Sequence, residues 1–448
     1  MYLLASLLGK TSAGFASLRD IYCLGHTLRL RFLLFPLLLA ASFASAQTSA
    51  TTPSALWKQV KIEPIAALQV WATYTMGAEV YRPDEAKYEQ VDDRLNFQLR
   101  RSRFGFKGNV GDRVKFNFTV AADLVGRDLL AGTDGGANNG PSPQVRLWNA
   151  YVQWRLSRES EKSYLVAGYQ IPQIGRESIT SALRSSSMEK AWVQNYLRRH
   201  LVGTGPGRAV GLNLGGLFLK EKLSWGYDIG VFNPSMQAYG NNSVGDVYSP
   251  LLTGRLVAYF GAPESKAYTT NHKLNYFGER RGLSLALAGA WQAKGDVFQD
   301  NYAYGFDFLG DYDGWSMDGE YMVLGRRGYE DISTAAQTAY LRLSYTLKVG
   351  EYWLEPSGML AQLAGPLSAA DQSAAAALSA FAGEERVFDL GSNFYFTPNL
   401  KLSMHYTFRK GDAGVAGAGA TVNNYFFQSG VGPILRGDWL GLGLVAIM

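Results

Sequence analysis

The sequence predicts an all-β fold, a transmembrane antiparallel β-barrel of sixteen strands with one loop folded inward. Three observations support this prediction. Sixteen segments alternate apolar and polar residues with the period of two that is typical of strands. The connections between them alternate short and long, like the turns and loops of an outer-membrane barrel. The chain has 26 Tyr, 23 Phe, 10 Trp and 50 Gly but one Cys, a composition that favours strands over helices.

The first 46 residues have the pattern of a secretory signal peptide. Arg29 and Arg31 precede an apolar run that starts at Phe32, and Ala-Ser-Ala stands before Gln47. The leader is long, so the position of the true start codon stays open. The mature chain would contain no cysteine, which suits an oxidising compartment.

Behind the leader, the sequence divides into a short lead-in and one large domain. Residues 47–64 are polar and predict a flexible periplasmic segment, and residues 65–448 are predicted to form the barrel. Of the formal net charge of +5, the leader holds +3, which leaves +2 for the mature chain (the leader has Lys10, Arg19, Arg29 and Arg31 against Asp20). This small excess gives no reason to expect a nucleic-acid partner.

The alternation defines one apolar and one polar face in each predicted strand. The strands lie at about residues 65–80, 92–108, 112–124, 144–156, 163–171, 208–219, 222–233, 251–260, 281–294, 302–312, 315–325, 336–347, 351–363, 385–397, 400–410 and 435–448. In the ninth, Leu283, Leu285 and Leu287 alternate with Ser284 and Ala286. Such an apolar band would cause aggregation in water but is required in lipid, where a closed sheet also removes unpaired edges.

The connections indicate the two ends of the barrel. Short ones such as Asp313-Gly314 predict periplasmic turns, and long ones such as 172–207 predict extracellular loops. The link 261–280 breaks this rule, because it places 20 residues on the side of the turns. It is either an extra structured turn or a missed pair of strands, which would make eighteen.

The second strand carries an unusual amount of positive charge. Its apolar face, Leu95, Phe97 and Leu99, resumes at Phe104 and Phe106 after an odd step, so one extra residue is expected within 100–103 as a β-bulge. Three arginines at this point, Arg100, Arg101 and Arg103, fall near the middle of the strand. Since a charge that faces hydrocarbon at mid-depth costs about 2–4 kcal/mol, these side chains are predicted to point into the lumen.

Five stretches in this order carry a resemblance to a known family. They are "RRSRFGFKG" (100–108), "LWNAYVQWRL" (147–156), "AGYQIPQIGRESITSALRSSSMEKA" (167–191), "GRAVGLNLGG" (207–216) and "LLTGRLVAYF" (251–260). With them the chain resembles the phosphate-selective porin O and P family of Gram-negative outer membranes, over roughly residues 90–260. It departs from the family pattern at Gln173-Ile174, where the family has Phe, and at its last residue, Met448, where many such barrels have Phe.

The resemblance implies an outer-membrane channel that conducts small hydrophilic solutes, phosphate among them, and that assembles as a homotrimer. It also implies that the segment 172–207 folds into the barrel as a constriction loop. Ser186 and Glu189 have the spacing of a capping box and predict a short helix that ends near Arg198.

The basic residues of strand two and of the loop are the candidate site residues. Rings of arginine and lysine at a constriction favour anions, and the guanidinium fork matches phosphate oxygens. We expect pore lining and anion selectivity from Arg94, Arg100, Arg101, Arg103, Arg176, Arg184 and Lys190. Any one of these arginines could instead brace the barrel through a wall carboxylate, for which Asp228, Asp307, Asp318, Glu320 and Glu355 are available.

Two other classes of function stay open. A surface adhesin or structural barrel with an occluded lumen would share the strand pattern. An outer-membrane enzyme could use His405 with Ser403, which share one face of strand fifteen, but no catalytic motif accompanies them. Neither a metal nor a cofactor is expected. The partners expected are outer-membrane lipid and small anionic or hydrophilic solutes.

Overall fold

The structure is a computed structural model that describes residues 59–131, 144–234, 247–329, 331–412, 427–428 and 432–448. Within it, Val60–Met448 forms one compact unit. The predicted signal peptide, 1–46, lies outside the described residues, so it stays a prediction. The first strand begins at Val60, and the barrel therefore starts five residues before the predicted boundary at 65.

Sixteen antiparallel strands close into one barrel, which confirms the predicted number. The strands are β1 (Val60–Met76), β2 (Arg94–Val110), β3 (Val114–Ala121), β4 (Arg146–Arg155), β5 (Tyr164–Gln170), β6 (Ala209–Phe218), β7 (Leu223–Asn233), β8 (Leu251–Gly261), β9 (Gly282–Gln292), β10 (Asp300–Tyr312), β11 (Trp315–Arg327), β12 (Ser333–Tyr345), β13 (Tyr352–Ala364), β14 (Glu384–Thr397), β15 (Leu400–Asp412) and β16 (Asp438–Ile447). Each strand pairs with its neighbours in the chain, and β1 pairs with both β2 and β16. Closure leaves no unpaired sheet edge toward the lipid.

The two faces of the wall follow the predicted alternation. In β9, Leu287 is 68% exposed on the outside, whereas Ser284 is fully enclosed on the inside. Aromatic side chains concentrate near the strand ends, where a membrane protein meets the lipid head groups; near the turns these include Tyr312, Trp315 and Tyr352. The outer surface is thus a lipid-facing band, and the polar face lines the lumen.

Short strands and helices lie at both ends of the barrel. A strand at Leu347–Val349 pairs with the start of β13. The strands Glu79–Arg82, Lys87–Gln90, Phe427–Gln428 and Gly432–Leu435 form a small separate sheet in the loops that follow β1 and β15. Helices occupy two of the long loops: α1 (Arg176–Ile179), α2 (Val193–Val202) and α3 (Ala369–Ala377). None of the described helices has the length and apolar character needed to span a bilayer.

The long link between β8 and β9 is a structured turn, and it adds no strand to the barrel. Glu264 of this turn is buried beside residues of the constriction loop. Its His272 makes an isolated bridge with Thr180 of the loop. The turn therefore folds into the lumen from the periplasmic side, which accounts for its length and excludes the eighteen-strand alternative.

We expect Leu287→Arg to destabilise the barrel by about 2–4 kcal/mol, because the new charge would face hydrocarbon at the centre of β9. The matched change Leu347→Arg, at an exposed position beside a periplasmic turn, should cost no more than about 1 kcal/mol. Urea unfolding in lipid vesicles, followed by tryptophan fluorescence, measures both. Equal losses would contradict the assignment of the outer face to lipid.

Candidate pore constriction

The segment between β5 and β6 fills one side of the lumen. Its apolar residues pack against small lumenal side chains on the opposite wall: Ala191, Val193, Tyr196, Leu197 and Leu201 meet Ala288, Ala290, Ala303, Ala336, Ala361 and Val387. Alanines at these wall positions leave room for a helix. Larger side chains would fill that room. The segment 172–207 therefore folds into the lumen as predicted, and the free space lies on the side of the lumen away from the alanines.

The helix of the segment begins later than the sequence suggests. Helix α2 starts after Trp192 with no side-chain cap and runs to Val202, so Ser186 and Glu189 do not form the predicted capping box. The wall holds this stretch away from the helix, because Ser357 donates a hydrogen bond of 2.7 Å to the carbonyl of Ser186. Gly203 caps the C-terminus of helix α2, with a φ of 82° in the left-handed conformation that glycine adopts readily.

A buried ion-pair cluster anchors the start of the segment to the wall. Arg342 of β12 contacts Glu177 of α1 at 2.9 Å and Asp318 of β11 at 2.7 Å. All three side chains are almost fully enclosed. The guanidinium of Arg342 thus contacts one carboxylate of the wall and one of the loop at the same time. Its several N–H donors allow hydrogen bonds to both carboxylates.

A second ion-pair cluster contains Arg176, for which the sequence predicts a position in the pore lining. Its guanidinium is completely buried, 2.7 Å from Glu264 and 3.1 Å from Asp307. Arg255 of β8 contacts the same Asp307 at 2.8 Å. Arg176 therefore does not line the open space; it braces the loop, which was the alternative considered for the arginines.

Arg184 is also placed away from the open space. It lies in the 3₁₀ turn Ala182–Arg184 and donates hydrogen bonds to the carbonyl of Pro398, at 3.1 Å, and to the side chain of Asn399, at 2.9 Å. These partners belong to the turn between β14 and β15. Arg184 thus ties the loop to the periplasmic end of the wall.

The open space is a cavity of about 890 Å³ between the constriction segment and strands β2, β3 and β4. Among the described residues, nine basic side chains line it: Arg100, Arg101, Arg103, Lys107, Arg146, Lys190, Arg198, Arg199 and Arg208. The acidic residues in the lining are Asp123 and Glu189. The cavity thus has a large excess of positive charge on one side of the lumen.

The predicted bulge in β2 is present and places two adjacent arginines in the cavity. Gln69 pairs with Arg101 and Val70 with Leu99, so Arg100 is the extra residue. Arg100 and Arg101 both contact the carboxylate of Glu189, the former at 2.7 Å through Nε. Burial alone would raise the pKa of Glu189, but the charges of Arg100 and Arg101 lower it to about 2. Two guanidiniums thus share one ionised carboxylate.

The comparisons with known proteins agree with this architecture. A family model, phosphate-selective porin O and P, matches residues 72–415. The chain belongs to this porin family. It is an outer-membrane porin, in agreement with the closed barrel and its lipid-facing band. A comparison with curated protein sequences found no match to this chain.

Solved structures share the fold of this porin at low sequence identity. An anion-selective porin from Comamonas acidovorans is 12% identical with a TM-score of 0.52, and the match covers 87% of this chain and all of that one. The outer-membrane channel DcaP of Acinetobacter baumannii is 11% identical with a TM-score of 0.51, covering 87% of this chain and 98% of that one. These likenesses support the fold alone.

A stacked pair of arginines in the porin was not found from the sequence. The guanidiniums of Arg103 and Arg208 lie over the ring of Trp148, at 3.8 and 3.6 Å from its centroid. Trp148 is the extra residue of a second bulge, because Thr119 pairs with Asn149 and Val120 with Leu147. The signal was available: the apolar face of β4 steps by an odd number between Ala150 and Leu147, as in β2.

The two remaining candidate residues of the porin differ in position. Arg94 lies at the outer end of β2, 3.0 Å from Asp128, and outside the cavity. Lys190 lines the cavity, but its ammonium is buried and donates to the carbonyls of Glu177 and Thr180, the latter at 2.7 Å. Burial and the charge of Arg198 lower the pKa of Lys190 well below its usual value. Lys190 therefore adds less to the positive field than its charge suggests.

We expect Glu177→Gln to loosen the constriction segment of the porin. Removing one partner of a buried ion pair costs about 3–5 kcal/mol, because Arg342 would keep a charge that is only partly compensated. Single-channel recordings should show larger and noisier currents, and the urea midpoint should fall.

The control for this change is Asp313→Asn, which breaks an exposed pair with Arg281 and should cost about 0–1 kcal/mol. Quiet currents of unchanged size in the Glu177 variant would show that the other contacts of the segment hold it without this ion pair.

Proposed function

We propose that this porin passively conducts small hydrophilic solutes and prefers anions. The observation that carries the proposal is the lining of the cavity, where the described part of the chain supplies nine basic residues and two acidic ones. Even without Lys190, whose ammonium is turned to backbone carbonyls, eight basic residues remain. Positive charge beside a narrow passage raises the local concentration of anions and repels cations.

The placement of the charges supports the same proposal. The lining extends from Arg146, at the outer end of β4, to Lys107, near the periplasmic end of β2. An anion that passes the constriction would therefore meet arginines along its path rather than at one point. The guanidinium fork suits carboxylate, sulfate and phosphate alike, so this geometry favours a broad anion preference over one for phosphate alone.

The occluded-barrel alternative is less well supported by the geometry. The constriction segment packs on the β9–β14 side, whereas the cavity persists beside β2, β3 and β4. A plugged adhesin would need both sides filled.

We also infer a transport role rather than a catalytic one. His405 is enclosed, with its Nδ1 2.8 Å from Asp389, which also accepts a hydrogen bond from Thr407. Ser403 instead donates to Asn393. The pair that suggested an enzyme thus belongs to two separate hydrogen-bonded groups inside the wall.

We propose, from family membership, that the porin assembles as a homotrimer. Its mass in mild detergent, measured by light scattering with the detergent contribution subtracted, should be three times that of one chain. A monomeric mass would remove this part of the proposal.

The direct test of the anion preference is a planar-bilayer recording of the purified wild-type porin in a KCl gradient. We expect a reversal potential that is shifted toward the equilibrium potential of chloride. Repeating the recording with added phosphate asks whether phosphate reduces the chloride current. A reversal potential on the potassium side would refute the proposal, and no conductance would favour the occluded barrel.

We expect opposite shifts in selectivity from two changes at the bulge. Glu189→Gln removes the carboxylate that Arg100 and Arg101 share and should raise the chloride-to-potassium permeability ratio. The double change Arg100→Gln and Arg101→Gln should lower it.

A unit charge about 10 Å from the ion path in water is worth roughly 0.4 kcal/mol for each ion, so one charge should change the ratio by a factor of about two to four. The control is Arg281→Gln at an exposed turn outside the cavity, which should leave the ratio unchanged. Shifts of the same sign in both bulge variants would argue against a field effect.

A further inference from the structure

We propose that the cavity beside the constriction segment binds organic anions with an apolar body, such as aromatic monocarboxylates, in preference to inorganic phosphate. This inference rests on the proposed function and names the class of solute that the channel would select. It is carried by three features of the cavity: an apolar surface on the loop, an arginine without a carboxylate partner, and the placement of the lysines.

The loop gives the cavity an apolar surface that a simple inorganic anion would not use. Ile171 and Leu183 line it from the segment, and Ile65 and Ile447 line it from the wall, all four partly exposed; two further lining residues, Ile179 and Trp192, are already buried. Apolar groups that face a wet lumen gain free energy when a ligand covers them. At about 890 Å³ the cavity also has the size of sites that hold organic molecules, far more than a single oxyanion fills.

Arg208 is held in place at this cavity with one side of its guanidinium unused. Its Nε donates to the side chain of Asn149 at 2.9 Å and its Nη1 to the carbonyl of Pro206 at 2.8 Å, while its face stacks on Trp148. Within the described part of the chain, no carboxylate lies within ion-pair distance of it and its Nη2 makes no hydrogen bond. Arg208 thus presents a fixed donor to an incoming carboxylate.

The charge environment of Arg208 also favours an anionic ligand. Burial and the like charges of Arg198 and Arg103 lower the pKa of Arg208, which an anion bound at Nη2 would counteract. Stacking on an aromatic ring suits arginine, because its guanidinium is weakly hydrated. The same Arg198 donates a hydrogen bond of 2.6 Å to the carbonyl of Ser178, which holds its positive charge on the loop.

The lysines of the cavity do not form a compact site for phosphate. The ammonium of Lys190 is occupied by backbone carbonyls. Lys107 is more than half exposed near the periplasmic end and pairs with Glu63 at 3.2 Å. Inorganic phosphate can reach Nη2 of Arg208 but has no apolar body to cover the loop, whereas a monoanion with an apolar body can use Nη2 of Arg208 and the loop together.

The test is the block of chloride current through the wild-type porin in planar bilayers by benzoate, acetate and inorganic phosphate. Benzoate and acetate carry the same charge and differ in the apolar ring. We expect half-block by benzoate at a concentration at least about tenfold lower than by acetate or phosphate, since ring burial adds to the carboxylate contact. Half-block by phosphate at an equal or lower concentration, or no block by benzoate, would overturn the inference.

Variants separate the two parts of the site. Arg208→Gln should weaken the block by both carboxylates about tenfold, whereas Ile171→Ser with Leu183→Ser, at partly exposed lining positions, should weaken the block by benzoate and leave that by acetate unchanged. The matched controls are Arg281→Gln and Leu367→Ser, both exposed and outside the cavity.

The possible results also distinguish a failure of this inference from a failure of the proposed function on which it rests. A chloride-selective channel without a benzoate preference would refute only the inference. A cation-selective channel would refute the anion preference itself. Because the wild-type comparison needs no variant, a variant that fails to fold leaves the test intact.

Discussion

The buried ion pair between Glu177 and Arg342 is the contact on which the shape of the channel depends. A sixteen-stranded barrel encloses a wide lumen, and the constriction segment narrows it only if it stays against one wall. The apolar packing of α2 on alanines of β9 to β14 gives the segment a surface to rest on, but such packing has little directional preference. The ion pair, together with Asp318, fixes where α1 sits and hence which side of the lumen stays open.

The sequence was sufficient to predict the barrel and the most charged part of its lumen. Lipid imposes alternation on every strand, so the outward residues and a bulge within 100–103 could be predicted from the period, and the strand number from the period together with the alternating short and long connections. The inward direction of Arg101 and Arg103 followed from the cost of a charge in hydrocarbon. The same odd step in β4, which turns Trp148 inward, could have been found in this way but was overlooked.

Other features could not be predicted, because they depend on contacts between distant parts of the chain. Alternation indicates that Arg176 avoids lipid, but not that it meets Glu264 and Asp307, which lie 88 and 131 residues away. The capping box at Ser186 and Glu189 was a local pattern that tertiary contacts overrode, since Arg100 and Arg101 take the carboxylate. Arg208 appeared in the sequence as an ordinary strand start, and only the folded loop shows its role.

The separation of Glu177 and Arg342 along the chain, 165 residues, has a consequence for biogenesis. The segment that narrows the channel is made early, but its anchor belongs to the twelfth strand. A nascent barrel of six or eight strands therefore lacks this anchor and holds the segment only through contacts with earlier strands, such as those of Arg100 and Arg101 with Glu189. Contacts of such long range form slowly. The narrow passage would accordingly be among the last features to form, and an intermediate released too early would leave a wide hole in the membrane.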